Sequence, residues 1–256
     1  MDVVLIGAGN VGTVLGRTFQ QSNHTIKAVW NRHPEKARLL ADELGTIAVE
    51  SLDALPQEAD LFLLSVSDRS IQEVAQQLTI KKGVLVHAAG AVSKNVLNGA
   101  AEHHGVLWPM KMIRSNMESL GPCAIMIDAN NEQSLHIIRE LANSIADQVH
   151  DADDAKRLKM HLIAAITSNF TNHLYHLAAD YSQEQEIQFS WFYPLIEGVI
   201  AQIKTQHPQH VQAGPAFRGD LLTIEKHRSL LANEPDLLKI YDEMTQSILH
   251  KFGHIQ

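Results

Sequence analysis

The chain has 256 residues, with 21 Lys and Arg against 29 Asp and Glu, a formal net charge of −8. A composition of 45% hydrophobic and 20% charged residues excludes a disordered chain, and the acidic balance excludes a binder that neutralises nucleic-acid phosphates. The single cysteine, Cys123, rules out an internal disulfide and a Cys-based zinc site.

In chain order, residues 3–6 read as a buried strand, 11–21 as a helix, 25–30 as a second strand and 34–44 as a helix with Pro34 in its first turn. Residues 60–66 form a strongly apolar strand, followed by a helix over 71–78 and a strand over 84–87. Weaker strands follow at 106–108 and 124–127, then a helix over 133–146 and a last short strand over 148–150. This alternation predicts βαβ units and a mostly parallel sheet. After the acidic stretch 151–154 only helices are expected, over 155–181, 189–205, 220–232 and 236–252, with a loop over 207–219. The fold class is therefore α/β, a doubly wound mostly parallel sheet over 1–151 and an all-α domain over 152–256. No apolar run nears the roughly 18 residues of a membrane span, and Met1–Gly7 lacks the pattern of a leader, so a cytoplasmic protein is expected.

Gly7-Ala8-Gly9-Asn10-Val11-Gly12 is a G-x-G-x-x-G sequence between the first strand and the first helix. That context is the one a dinucleotide-binding turn requires. Gly7 permits the turn, Gly9 lets backbone approach a diphosphate, and Gly12 lets helix and strand pack closely. At the end of the second strand, nineteen residues beyond Gly12, stands Asn31, followed by Arg32 and His33. No carboxylate is present there to bind a ribose 2′-OH or repel a 2′-phosphate. Arg32, helped by His33, suits the 2′-phosphate of NADP(H); the alternative is a solvated surface charge. Two later strand ends should line the same groove: Ser65, Val66 and Ser67 after one, Ala89 and Gly90 after the other. Ser67 and Ser93 read equally well as helix caps.

On the long helix, His161, Ala165, Ser168, Asn169, Asn172 and His176 recur at steps of three and four, and Ile163, Ile166, Phe170, Leu174 and Leu177 take the other side. The second set is expected to be core, and the first to face a cleft between the two domains. His161 also reads as a structural histidine. His173 and His176 resemble half a metal site without a third ligand, so no metal is assigned. In Gly214–Asp220, Asp220 should cap a helix, and Arg218 would either clamp an anion or pair with an acidic residue. Trp108-Pro109-Met110 reads as core or as a pocket wall.

The glycine loop, the Asn31-Arg32 pair, segments 161–165 and 168–174, and the Gly214–Asp220 motif together resemble the bacterial Rossmann-like proteins that carry a C-terminal domain of unknown function, DUF2520. The layout is similar to that of pyrroline-5-carboxylate reductases and β-hydroxyacid dehydrogenases. The resemblance implies an N-terminal NADP-binding Rossmann domain and a helical domain used for dimerisation. It also brings a label, coenzyme F420-dependent, under which members are often catalogued. Two positions depart from the relatives. β-Hydroxyacid dehydrogenases carry a catalytic lysine four residues before an asparagine; here Ala165 precedes Asn169 and Ser168 precedes Asn172. Ala89 stands where members often have serine.

The expected activity is reduction of a small C=O or C=N compound by NADPH. His161 would be the general acid, Asn169 or Asn172 would bind the reacting atom, and Arg218 would hold a substrate carboxylate. The alternatives are a nucleotide-binding sensor without turnover, and a reductase passing hydride to a deazaflavin. The fold by itself does not decide among them.

Overall fold

Side chains that alternate between two apolar layers build the first part of the chain. In β1 (Asp2–Ile6), Val3 and Leu5 pack on one side of the sheet and Val4 and Ile6 on the other, all fully buried. β4 (Leu61–Leu64) repeats the arrangement, with Leu61 and Leu63 on one side and Phe62 and Leu64 on the other. Strands buried on both faces need helices on both faces. α1 (Asn10–Gln21), α2 (Pro34–Glu43) and α4 (Glu132–Ile145) cover one layer, and α3 (Asp68–Ala75) the other.

The structure, a computed structural model, describes residues 1–254. The remaining strands are β2 (Thr25–Trp30), β3 (Ile47–Val49), β5 (Val84–His87), β6 (His104–Pro109), β7 (Ala124–Ala129) and β8 (Gln148–Asp151). They form one sheet in the order β3-β2-β1-β4-β5-β6-β7-β8. Among the described residues only the β6–β7 pair is antiparallel. The strand order reverses direction between β1 and β4, so the carboxyl ends of these strands open a crevice where ligands of such sheets bind. The sequence did not suggest β3, a three-residue strand at the sheet edge.

The helix expected over 155–181 is interrupted. α5 (Asp154–Ala164) passes through a π-helical segment, Ala165–Phe170, into α6 (Thr171–Glu184). The segment expected over 189–205 begins with a 3₁₀ turn and continues as α7 (Tyr193–Ile203), which has Pro194 in its first turn, where its missing N–H does no harm. α8 (Pro215–Arg218), a single turn, lies inside the expected loop. α9 (Leu221–Leu230) and α10 (Pro235–Lys251) follow, and Asp220 caps α9 by accepting the Thr223 N–H at 3.1 Å.

By packing, the chain divides into two compact units, Met1–Asn169 and Phe170–Gln256. The last strand ends at Asp151, but α5 belongs to the first unit. The apolar side read as core on the long helix is not core: Ile163, Ile166 and Phe170 are at least half exposed. The second unit has a small core around Ala216, Ile224 and Leu249, and α7 contains no buried residue. No helix among the described residues is long and apolar enough to cross a membrane.

One buried titratable group sits at the end of β5. His87 has no exposed surface. The Ala89 N–H donates to its Nδ1 at 3.2 Å, which puts the ring proton on Nε2, 3.3 Å from the Ser93 carbonyl oxygen. Burial, together with the nearby Arg157 cation, pushes its pKa down to about 4. The unfolded chain therefore binds a proton at His87 that the folded chain refuses between pH 6.5 and about 4. Stability at this position should be full above pH 6.5 and fall by about 3 kcal/mol toward pH 4. Urea unfolding followed over that range checks this: His87→Gln should flatten the decline, and an unchanged slope would assign it to other groups.

Candidate functional site

The turn after β1 is shaped by what its glycines leave out. Gly7 has a φ of +119°, a region that disfavours side chains. Its N–H donates to the Trp30 carbonyl at 2.7 Å, which ties the turn to the end of β2. A Cβ at Gly12 would lie 2.0 Å from the Gly7 carbonyl oxygen and 2.5 Å from Ser65 Oγ, so α1 rests directly on the turn. At Gly9, by contrast, a Cβ would meet nothing within 4 Å. Gly9 is the N-cap of α1 and offers no side-chain cap, which leaves the first-turn N–H groups facing that open space. Such a terminus attracts an anion.

Several predicted contact residues hold the turn itself. Ser65 is buried, and its hydroxyl donates to the Gly7 carbonyl at 3.0 Å. Asn31 accepts the Ala8 N–H at 3.1 Å and donates to the His33 carbonyl at 3.1 Å. Asn10 accepts the Ser115 N–H at 3.2 Å, and Val11 packs against the core. The neighbouring cavity, about 350 Å³, is lined by Gly9, Trp30, Asn31, Arg32, His33 and the segment Ser65-Val66-Ser67, among others. Arg32 is exposed there and makes no ion pair or hydrogen bond among the described residues. His33 lies 3.9 Å from Glu35. Ser67 is the N-cap residue of α3, but its hydroxyl meets that of Ser70 at 2.9 Å rather than a backbone N–H.

A second cavity, about 510 Å³, also lies within the first unit. Trp108, Met110 and Met112 line it from the end of β6 onward, and His161, Ala165, Ser168 and Asn169 from α5 and the π segment. His161, Ala165, Ser168 and Asn169 of the polar stripe thus share one wall, and Ile163, read on the opposite side, and Thr167 line the same cavity. His161 packs on Trp108, ring centroids 5.8 Å apart. A Cβ at Gly90 would come within 2.6 Å of both rings, so only glycine fits there. Ala89 is buried beside it.

Thus the structure gathers Gly7, Gly9, Gly12, Arg32, Ser65 and Ser67 beyond the carboxyl ends of β1, β2 and β4, and Gly90, His161, Ser168 and Asn169 around the second cavity. Asn172 is exposed near the start of α6, and Arg218 is exposed at the end of α8; both belong to the helical unit. Among the described residues no group of three or more His, Cys, Asp or Glu could hold a metal ion. Sequence reasoning missed Lys111, Thr167 and the buried cation Arg157; the Asp154/Arg157 spacing of i, i+3 was the available signal for the last.

Two family models match the chain. Residues 2–91 match the family described as NADP oxidoreductase coenzyme F420-dependent, and residues 123–248 the domain of unknown function DUF2520. Among curated proteins, the L-aspartate dehydrogenase of Methanocaldococcus jannaschii is 28% identical over 102 residues; the match spans 38% of this chain and 38% of that protein. A solved structure from Bacteroides fragilis, named as a candidate NADP oxidoreductase, superposes with a TM-score of 0.91 at 30% identity, covering 97% of this chain and 98% of that one. An imine reductase from Myxococcus stipitatus, solved in complex with NADP+, shares the fold with a TM-score of 0.66 at 19% identity, covering 99% and 96%. With near-complete coverage of the Bacteroides fragilis protein at 30% identity and the two family domains in this order, the chain belongs to the Rossmann-like NADP oxidoreductase family that carries the DUF2520 domain.

Proposed function

We propose that the protein is an NADPH-dependent reductase of a small carbonyl or imine compound. The observation that carries this reading is the open, uncapped start of α1 above Gly9, with the unpaired Arg32 at the end of the neighbouring strand. The residues present fit a dinucleotide: a diphosphate needs the space a Cβ at Gly9 would fill, and a 2′-phosphate needs a cation without a partner. The name of the Bacteroides fragilis relative and the NADP+ bound to the imine reductase support the same cofactor.

When bound, NADPH supplies a hydride to an electrophilic carbon. The chain's own part is binding, orientation and proton delivery. Gly9 and the first turn of α1 hold the diphosphate, and Arg32 selects the 2′-phosphate. Trp108, Met110 and Met112 give the second cavity an apolar wall that limits water. His161 delivers a proton to the substrate oxygen or nitrogen, and Asn169 hydrogen-bonds the same atom. Ala165 stands where a lysine would be needed for the alternative proton transfer. The reading rests on the first unit and does not use Asn172 or Arg218. The protein is further read as a homodimer joined through the helical unit, because α7 is apolar and buries nothing while Trp191 and Leu195 are each 67% exposed.

Thermal unfolding with NADPH, with NADH and without ligand tests the cofactor. At a hundred times its dissociation constant, a bound cofactor stabilises the fold by about 2.7 kcal/mol. Gly9→Ala should leave the ligand-free Tm near wild type and remove the NADPH shift. Gly12→Ala should lower the ligand-free Tm as well, since the added carbon meets the Gly7 carbonyl. Arg32→Gln should weaken NADPH roughly tenfold or more and leave NADH unchanged; no shift with either cofactor in wild type ends the reductase reading.

Once a screen of carbonyl and imine compounds gives turnover, His161→Gln should lower kcat by about 10²–10⁴ and keep NADPH affinity. Equal loss of both would remove the acid role. Sedimentation of wild type should give a dimer, and Leu195→Glu a monomer; a wild-type monomer at micromolar concentration refutes the assembly.

A further inference from the structure

His161 is held by packing alone. Its ring nitrogens make no hydrogen bond among the described residues; its ring lies against Trp108 and against the bare Gly90. Its place therefore depends on where the segment after β5 lies, and that segment is held by an ionic cluster around the buried Arg157.

Arg157 is 1% exposed. Its Nη2 donates to the Val92 carbonyl at 2.6 Å and to Asp154 Oδ1 at 2.6 Å, and its Nη1 donates to the Ala152 carbonyl at 3.2 Å. Asp154 in turn accepts the Ser93 hydroxyl and, at 3.2 Å, the Lys94 N–H. Burial works against the Asp154 charge, but these hydrogen bonds and the Arg157 cation hold its carboxyl below the usual range. Lys94 donates to Asp128 at 2.7 Å, and Asp128 lies 3.6 Å from Arg157, so β7 joins the cluster. From inside the sheet, His87 meets Ala89 and Ser93. Residues 89, 92, 93 and 94 are thus each fixed, with Gly90 between them.

Asp154, Arg157 and His161 follow one another on α5 at i, i+3 and i+7, successive turns of one face. That face grips Ser93 and Lys94, then Val92, then Gly90. A buried ion pair adds little to stability, because desolvation offsets the attraction. Arg157 even leaves its Nε without a partner. What the cluster does well is fix geometry, since a guanidinium donates along set directions to two carbonyls and a carboxylate at once.

We propose that Arg157, acting with Asp154, is a positioning residue that sets the register between the segment after β5 and His161. The proposal builds on the reductase reading, in which His161 delivers the proton, and on the sequence expectation that Ala89 and Gly90 line the cofactor groove.

The test compares Arg157→Lys and Ser93→Ala with Ile138→Val, a core change on the opposite sheet face. The first readout is the Cε1–H chemical shift of His161 at fixed pH without cofactor, identified by its loss in His161→Gln. The second is the NADPH dissociation constant. Arg157→Lys keeps the charge but cannot bridge both carbonyls. It should move the His161 signal and weaken NADPH by about tenfold, the scale of one charge-assisted hydrogen bond. Ser93→Ala should move both less, and Ile138→Val neither. If Arg157→Lys does not fold, Ser93→Ala carries the test, since it removes a hydroxyl and no charge. An unmoved His161 signal in the variants that fold, or an equal movement in Ile138→Val, overturns the proposal. If wild type binds no NADPH, the reductase reading falls and the His161 signal still decides the positioning role.

Discussion

The contact on which the site depends is the approach of α1 to the turn after β1. Position 12 lies so close to the Gly7 carbonyl that no side chain could stand there. This fixes the helix axis over the strand end and points its first-turn N–H groups at the space above Gly9. Ser65 and Asn31 then lock the turn from β4 and β2, one through the Gly7 carbonyl and the other through the Ala8 N–H. Three strand ends thereby converge on one short backbone segment. A dinucleotide site of this kind is built mainly from backbone. The side chains of Asn31 and Ser65 serve the turn, and those of Asn10 and Val11 face Ser115 and the core, which leaves Gly9 and Arg32 as the residues proposed for recognition.

Much of this was readable in the sequence because the relevant signals are short and local. The β1–turn–α1 unit and β5 are marked by β-branched runs and glycines, and β2 falls where it was expected. β3 escaped notice because three residues at a sheet edge carry no periodicity. The π segment escaped for a deeper reason. Periodicity arguments assume a constant turn angle, and nothing in Ala165-Ile166-Thr167-Ser168-Asn169-Phe170 announces a wider one. The polar stripe kept one cavity wall as far as Asn169, but Ile163 in regular α5 lines that wall too, and the supposed core side, including Ile166 and Phe170, proved exposed. Arg157 was overlooked because arginine is seldom fully buried; the i, i+3 spacing to Asp154 hinted at the pair, but the bond to the Val92 carbonyl, 65 positions away, was not visible in the sequence.

Charge is distributed unevenly in this acidic chain. Some surface cations have carboxylate partners, as in Arg17 with Glu43, Arg38 with Glu50 and Arg139 with Asp151. Exposed pairs of this kind contribute little to stability. Among the described residues Arg32 is one of the exposed cations without a partner and lines the cavity beside Gly9, whereas Arg157 is buried next to two carboxylates. The first is free to attract an anion, and the second is committed to holding the chain. A similar division applies to the histidines. His87 is kept neutral inside the fold as part of the scaffold, whereas His161 stands on a cavity wall without a hydrogen bond.

The absence of a lysine at position 165 bears on how this fold can do chemistry. In a site that moves a proton by an ammonium group on this helix, the charge itself would repel a cationic substrate and would need a counter-ion. Ala165 and Ser168 leave that stretch of the wall neutral, and the proposed acid is an imidazole one turn earlier. An imidazole without hydrogen-bonded orientation must take its geometry from its neighbours. The bare Gly90, the Trp108 ring and the Arg157 cluster behind them are what this chain provides. The same helix that carries the proposed acid also carries the residue that fixes its position, so the two cannot drift apart without unfolding a turn of α5.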